Sequence, residues 1–212
     1  KAKWKFLLDM KKIVYVVLAG AILFLGYRVF FSSLADQTVG SNGDSETIIC
    51  FGDSLTYGTG AGKGMDYPSQ LAKMIGKPLI NAGVSGDTTA RALQRLEQDV
   101  LAKSPDLVLI TLGGNDLKNG VAKDVAFENL KTIVESIQQT GARVIIGGLR
   151  FPIRDRGFAG GYRELADQTG AVLIPDIFKG IMGNRKLMSD PIHPNSDGYK
   201  KIAEKFFDAM LQ

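Results

Sequence analysis

The 212-residue chain holds one cysteine, one histidine and one tryptophan. A lone Cys50 allows no intramolecular disulfide and no cysteine metal cluster, and a lone His193 excludes a histidine-rich metal site. Cys50 sits in the apolar run Ile48-Ile49-Cys50-Phe51 and reads as a small buried hydrophobe, not a reactive thiol. The body of the chain also lacks a net charge of either sign. The formal charge is +4, but six of the 26 basic and one of the 22 acidic residues fall in 1–35, leaving 20 basic against 21 acidic in 36–212. A near-neutral body carries no electrostatic footprint for nucleic acid, and no nucleic-acid partner is expected. The chain shows no internal repeat and no low-complexity tract.

What is present begins with a leader. Ile13 to Tyr27 is a run of fifteen uncharged, mostly aliphatic residues, followed beyond Arg28 by Val29, Phe30 and Phe31. As a helix, positions 13–31 would reach roughly 28 Å, close to the ~30 Å of a bilayer core. Five lysines precede the run and would hold the amino terminus inside, with Arg28 snorkelling at the far end. The expectation is a membrane anchor over residues 1–35 with the body extracytoplasmic, in the periplasm. Cleavage of a signal segment near Ala35, after Ser33-Leu34, is the alternative and would give a secreted protein. Residues 36–46, with two glycines, two serines and Asn42, read as a polar tether, and 47–212 as one domain.

Within that domain, short apolar runs recur at Thr47–Phe51, Leu79–Ala82, Leu107–Leu112, Val144–Gly147 and Val172–Ile174 and read as buried strands. Between and after them come helical periodicities: Leu130, Ile133, Val134 and Ile137, then Tyr199, Ile202, Ala203, Phe206, Phe207 and Met210. Alternating strands and helices predict an α/β fold with a five-stranded parallel sheet covered on both faces. Ligands of such sheets sit in the loops beyond the strand carboxyl ends. The polar and glycine-rich clusters fall there: Gly52-Asp53-Ser54-Leu55, Gly83 to Thr89, and Gly113-Gly114-Asn115-Asp116.

The chemistry starts from the lone histidine. In Ser189-Asp190-Pro191-Ile192-His193-Pro194 the prolines argue against a helix, and Asp190 is the residue that would hold the imidazole's tautomer. Taken alone, the same residues also describe a turn whose aspartate caps backbone amides and whose histidine is merely exposed. Ser54 would emerge from the first strand end, but Thr56 replaces the second glycine of a Gly-x-Ser-x-Gly elbow, so that architecture is excluded. Attack by a serine on an acyl carbonyl needs preorganised oxyanion donors. Three are available at strand ends: the Ser54 amide, the Gly86 amide ahead of a helix, and the Asn115 side chain. Each also has an ordinary reading as a turn or cap residue.

Taken together, four ordered blocks over residues 47–205 resemble the SGNH hydrolases, also called GDSL esterases and lipases. These are Gly52-Asp53-Ser54-Leu55, Gly86, Gly113-Gly114-Asn115-Asp116, and Asp190-Pro191-Ile192-His193-Pro194. The resemblance implies a flavodoxin-like three-layer α/β/α sandwich, a Ser54-Asp190-His193 triad, and an oxyanion hole from Ser54, Gly86 and Asn115 with Asp53 and Asp116 in support. Asn81 to Thr89 is most similar to the bacterial thioesterase, arylesterase and lysophospholipase group, with Pro191 in place of that group's frequent glycine. The function so implied is a serine ester hydrolase working through an acyl-enzyme on a small ester, thioester or lipid, with no cofactor and no metal. The membrane would be met only through the leader. Leu117–Val125 and Phe151–Phe158 are the segments expected to shape the acyl site. An O-acetyl esterase acting on envelope polysaccharide and a non-catalytic, membrane-tethered binding module are the alternatives. A flavin-binding flavodoxin fits less well, since the loop after the first strand lacks a Ser/Thr-rich phosphate cradle.

Overall fold

The structure, a computed structural model, describes residues 46–151 and 155–212, so the leader and nearly all of the tether lie outside the described residues. Among the described residues no helix is long and apolar enough to cross a membrane.

Five strands, β1 (Ile48–Gly52), β2 (Ile80–Gly83), β3 (Leu107–Thr111), β4 (Arg143–Gly147) and β5 (Val172–Ile174), form one parallel sheet in the order β2-β1-β3-β4-β5. The apolar runs read from sequence mark all five, with boundaries shifted by a residue or so. β1 and β3 are buried at every position because both faces are covered, whereas the edge strands β2 and β5 remain partly exposed. Cys50 lies fully buried in β1, where desolvation pushes its thiol pKa far above the usual range.

Among the described residues seven α-helices and a short 3-10 turn (Leu101–Lys103) accompany the sheet: α1 (Ser54–Tyr57), α2 (Tyr67–Ile75), α3 (Thr89–Asp99), α4 (Gly114–Asn119), α5 (Lys123–Gln139), α6 (Phe158–Thr169) and α7 (Ser196–Met210). Parallel crossovers are right-handed, so the chain leaves β1 toward β2 over one face and returns to β3, β4 and β5 over the other. The packing follows that rule: α2 lies with α7, and α3, α5 and α6 pack in sequence. Amphipathic stripes seat these helices. Leu130, Ile133, Val134 and Ile137 of α5 are buried, as are Tyr199, Ile202, Ala203 and Phe206 of α7, and Phe206 stacks on Tyr67 of α2 with ring centroids 5.0 Å apart.

The strand order has a functional consequence. β1 is flanked by β2 and β3, so successive connections leave it in opposite directions and open a crevice at its carboxyl end. Ser54 follows β1 directly, Gly86 follows β2 and Asn115 follows β3. The short helix α1 is pressed against the end of β2: a Cβ on Gly83 would run into backbone atoms of Thr56 and Tyr57.

Gly83→Ala should therefore lower the unfolding free energy by about 1–3 kcal/mol, the usual cost of overpacking against backbone that cannot yield. Urea denaturation checks this, and an unchanged midpoint would mean that α1 is free to shift.

Candidate active site

Gly52 ends β1, and the Asp53 side chain accepts the Leu55 amide at 3.0 Å, which caps α1 and makes Ser54 its first residue. Being first, Ser54 has an amide with no intrahelical partner, and among the described residues neither its N–H nor that of Gly86 finds an acceptor. Gly86 lies within the Val84–Asp87 turn, closed by the Asp87 amide on the Val84 carbonyl at 3.1 Å, with φ of +80°. Thr88 then caps α3 through the Arg91 amide.

His193 arrives from the far end of the chain. Residues 189–193 fold back on themselves, with the Ser189 amide donating to the His193 carbonyl at 2.9 Å and Met188 bridging Pro194. Asp190 divides its two oxygens. Oδ1 accepts the Ile192 and His193 amides at 2.8 Å each, and Oδ2 lies 2.7 Å from His193 Nδ1. The turn-cap reading and the histidine-partner reading of Asp190 thus describe the same residue. Desolvation would raise its pKa, but the Ile192 amide and then the His193 ring and amide outweigh it and hold the carboxyl below its ordinary value. The other ring nitrogen, Nε2, lies 3.0 Å from Ser54 Oγ.

α7 is locked to the loop after α1, and this lock brings residue 193 to residue 54. Asn195 caps α7 through the Asp197 and Gly198 amides, and Gln70 Nε2 donates to the Ser196 carbonyl at 2.9 Å. The buried Tyr199 hydroxyl donates to the Thr59 carbonyl at 2.8 Å.

Asn115, the second residue of α4, sends Nδ2 to the Asp87 carbonyl at 2.9 Å and, over a longer 3.3 Å, to Asp53 Oδ2. Asp116 does not line the cavity. It is buried, accepts the Thr89 amide and hydroxyl at 2.9 and 2.7 Å, and so pins α4 to the start of α3. Asp53 is 3% exposed, and burial pushes its carboxyl up to about 7; its Leu55 hydrogen bond opposes the shift, while the nearby Asp87 and Asp116 carboxylates reinforce it.

A cavity of about 290 Å³ opens onto Ser54, Asn115 and His193. Leu55, Leu117, Leu149, Phe151, Phe178 and Ile192 give it apolar walls, and Lys118 and Arg156 stand at its rim. Of the two segments expected to shape an acyl site, only Leu117, Lys118, Phe151 and Arg156 line this cavity. Val125 is exposed and Phe158 belongs to the core, while 152–154 lie outside the described residues. Leu149 and Phe178 were not singled out from the sequence, although their positions just beyond β4 and β5 obey the same strand-end rule as the other site residues. Arg95 was not singled out either. It sits inside α3, and apart from Asp99 one turn on, its hydrogen-bond partners lie 8 to 43 residues away in sequence.

A model of the GDSL-like lipase/acylhydrolase family matches residues 50–201. Among curated proteins, the esterase TesA of Pseudomonas aeruginosa is 28% identical over 177 residues, covering 78% of this chain and 88% of its own. The thioesterase 1/protease 1/lysophospholipase L1 of Escherichia coli is 29% identical over 168 residues, covering 76% and 81%. Among solved structures, AlinE4, an SGNH-hydrolase family esterase, superposes with a TM-score of 0.65 at 35% identity, covering 81% of this chain and 97% of its own.

The Asp53 carboxyl carries a stability prediction. Its native pKa lies above the unfolded value of 3.8, so between about pH 4 and pH 7 the native state holds a proton that the unfolded chain has lost, and stability falls as pH rises through that window. In urea titrations, Asp53→Asn should gain on wild type by on the order of 3 kcal/mol between those pH values and by little outside them. A pH-independent difference would mean that Asp53 titrates normally.

Proposed function

The chain belongs to the GDSL-like lipase/acylhydrolase family, and from that premise we propose that it is a serine ester hydrolase in which Ser54, His193 and Asp190 form the triad and an acyl-enzyme is the intermediate. One observation carries this reading: the only histidine of the chain has Nε2 3.0 Å from Ser54 Oγ and Nδ1 2.7 Å from Asp190.

The tautomer follows from the partners. Asp190, its pKa lowered, is ionised at neutral pH and can only accept, so Nδ1 carries the hydrogen and Nε2 presents its lone pair to the Ser54 hydroxyl. Nε2 then takes the hydroxyl proton as Oγ bonds to the carbonyl carbon. The carbonyl oxygen becomes an oxyanion facing the unpaired Ser54 and Gly86 amides. Asn115 supplies the third donor through the N–H now held only loosely by Asp53, its other N–H being anchored on the Asp87 carbonyl. As the tetrahedral intermediate collapses, the imidazolium passes its proton to the departing alkoxide or thiolate, leaving the acyl group on Ser54. Water repeats the cycle: Nε2 removes its proton, hydroxide adds to the acyl carbon, and the same proton returns to Ser54 Oγ as the acid leaves.

The cavity supports a substrate class. At about 290 Å³ it stands at the low end of ligand pockets, and its walls are aliphatic and aromatic, which favours an ester or thioester with a modest acyl chain over a polysaccharide. The lysine-flanked apolar run at 13–31 supports placing this activity outside the cytoplasm, held to the membrane by that run.

With p-nitrophenyl esters as substrates, Ser54→Ala and His193→Ala should each lower kcat by at least about 10³-fold without unfolding the protein. Asp190→Asn, which keeps the turn but reverses the preferred tautomer, should cost at least about tenfold. Ser54→Ala retaining a tenth of wild-type activity would sink the nucleophile assignment. A chain-length series from acetyl to dodecanoyl should peak at a short or medium chain, and a sustained rise to the longest ester would sink the cavity argument.

A further inference from the structure

Arg95 lies partly buried beneath the loops that present the oxyanion donors, its side chain 17% exposed, and it uses four of its five N–H groups on four acceptors. Nε donates to Asp87 Oδ2 at 2.7 Å and Nη2 to the Gly52 carbonyl at 3.0 Å. Nη1 donates to the Ala82 carbonyl at 2.9 Å and to Asp99 Oδ2 at 2.8 Å. The guanidinium also lies 4.4 Å from the centroid of the Phe51 ring, a cation–π contact beneath the end of β1.

Three of these acceptors, on Gly52, Ala82 and Asp87, are the anchor points of the three donors. Gly52 is two residues before Ser54. Ala82 precedes the turn that carries Gly86, and the Val84 amide returns to the same Gly52 carbonyl that Arg95 holds. Asp87 closes that turn, and its backbone carbonyl is where Asn115 Nδ2 is anchored. Val84, Ser85 and Gly86 are exposed, and a Cβ on Gly86 would meet nothing within 4 Å, so packing does not fix this turn. It is suspended between points that one guanidinium holds on either side.

We propose that Arg95 is the positioning residue of the oxyanion hole, setting the Gly86 amide through Asp87 and, through the Asp87 carbonyl, the Asn115 side chain. The inference rests on the serine hydrolase reading of the site. Arg95 touches no substrate, and its effect is on where the donors stand when charge develops on the carbonyl oxygen. An ammonium cannot replace it, because a single point of charge on a flexible stem does not reach four acceptors spread around a planar fork.

The test compares wild type, Ser54→Ala, Arg95→Met, Arg95→Lys and Leu96→Ala in the full chain. It measures kcat and KM on p-nitrophenyl butyrate, the rate of Ser54 labelling by a fluorophosphonate, and thermal unfolding. Leu96 is buried in the same helix, so Leu96→Ala lowers stability without touching the loop. For Arg95→Met we expect kcat and the labelling rate to fall together by about 10²-fold, in the range of a lost oxyanion donor, with KM within about twofold. Leu96→Ala should keep kcat within about twofold. Arg95→Lys should resemble Arg95→Met, and it carries the test if the methionine variant does not fold. A folded Arg95 variant with kcat within about threefold of wild type, a loss confined to KM, or an equal loss of kcat in Leu96→Ala would overturn the proposal. Absence of Ser54-dependent turnover in wild type would overturn the hydrolase reading itself.

Discussion

Both neighbours of β1 run parallel to it and are reached by connections that leave in opposite directions. Most of the site descends from that constraint. Three strand ends open into one crevice, so Ser54 and Asn115 line a common cavity, with the Gly86 turn following the adjacent strand, and no long loop is needed to bring them there. Only His193 needs a separate device, and the chain supplies it at the start of α7. The bonds from Gln70 and Tyr199 tie that helix to α2 and to the loop after α1, and the closed turn at 189–194 aims the imidazole back. The sheet sets Ser54 and Asn115, while the last helix delivers His193.

How legible each part was in the sequence follows from the range of the interaction involved. β1 and β3 announce themselves because central parallel strands are apolar at every position, and Ile48 to Phe51 and Leu107 to Ile110 are of that kind. β2 is weaker, since an edge strand reading Ile-Asn-Ala-Gly carries little periodic signal, and only the short apolar run Leu79 to Ala82 marks it. The blocks at the strand ends are local motifs, and their convergence follows from the alternation of elements. Asp190 was ambiguous for a physical reason: a carboxylate has two oxygens, and this one caps a turn with one while meeting the imidazole with the other. Arg95 lay beyond any local rule. A charged residue on an amphipathic helix ordinarily belongs to the solvent face, and nothing in its neighbourhood states that carbonyls 13 and 43 residues earlier will converge on it.

The cavity walls show a third level of legibility. Leu149 and Phe178 lie just past strands that were correctly placed, so the strand-end rule reaches them, but an apolar residue there is indistinguishable in sequence from core. Phe158 makes the contrast: it falls inside a segment that seemed suited to line the site, yet it packs edge-on against Phe127 with centroids 5.4 Å apart. Which of two phenylalanines meets ligand and which meets core depends on the direction in which a helix starts, and composition carries no record of it.

The charges beneath the site pose a last problem, because the proposed reaction would form an oxyanion above three buried carboxyl groups. Asp53, Asp87 and Asp116 are each at most 3% exposed, and unopposed negative charge there would work against the developing alkoxide. Each is held differently. Arg95 answers Asp87 with a charge-assisted hydrogen bond of 2.7 Å, and Thr89 answers Asp116 with both its amide and its hydroxyl. Asp53, nearest the nucleophile, has one amide and a long contact from Asn115, and it is the one whose pKa burial lifts to about 7. Near neutral pH a proton therefore resides on it for much of the time, so the carboxyl adjoining Ser54 does not carry a full negative charge. The fold gives up some stability to bury that carboxyl and in exchange has a cap for α1 that does not hold a full negative charge beside Ser54.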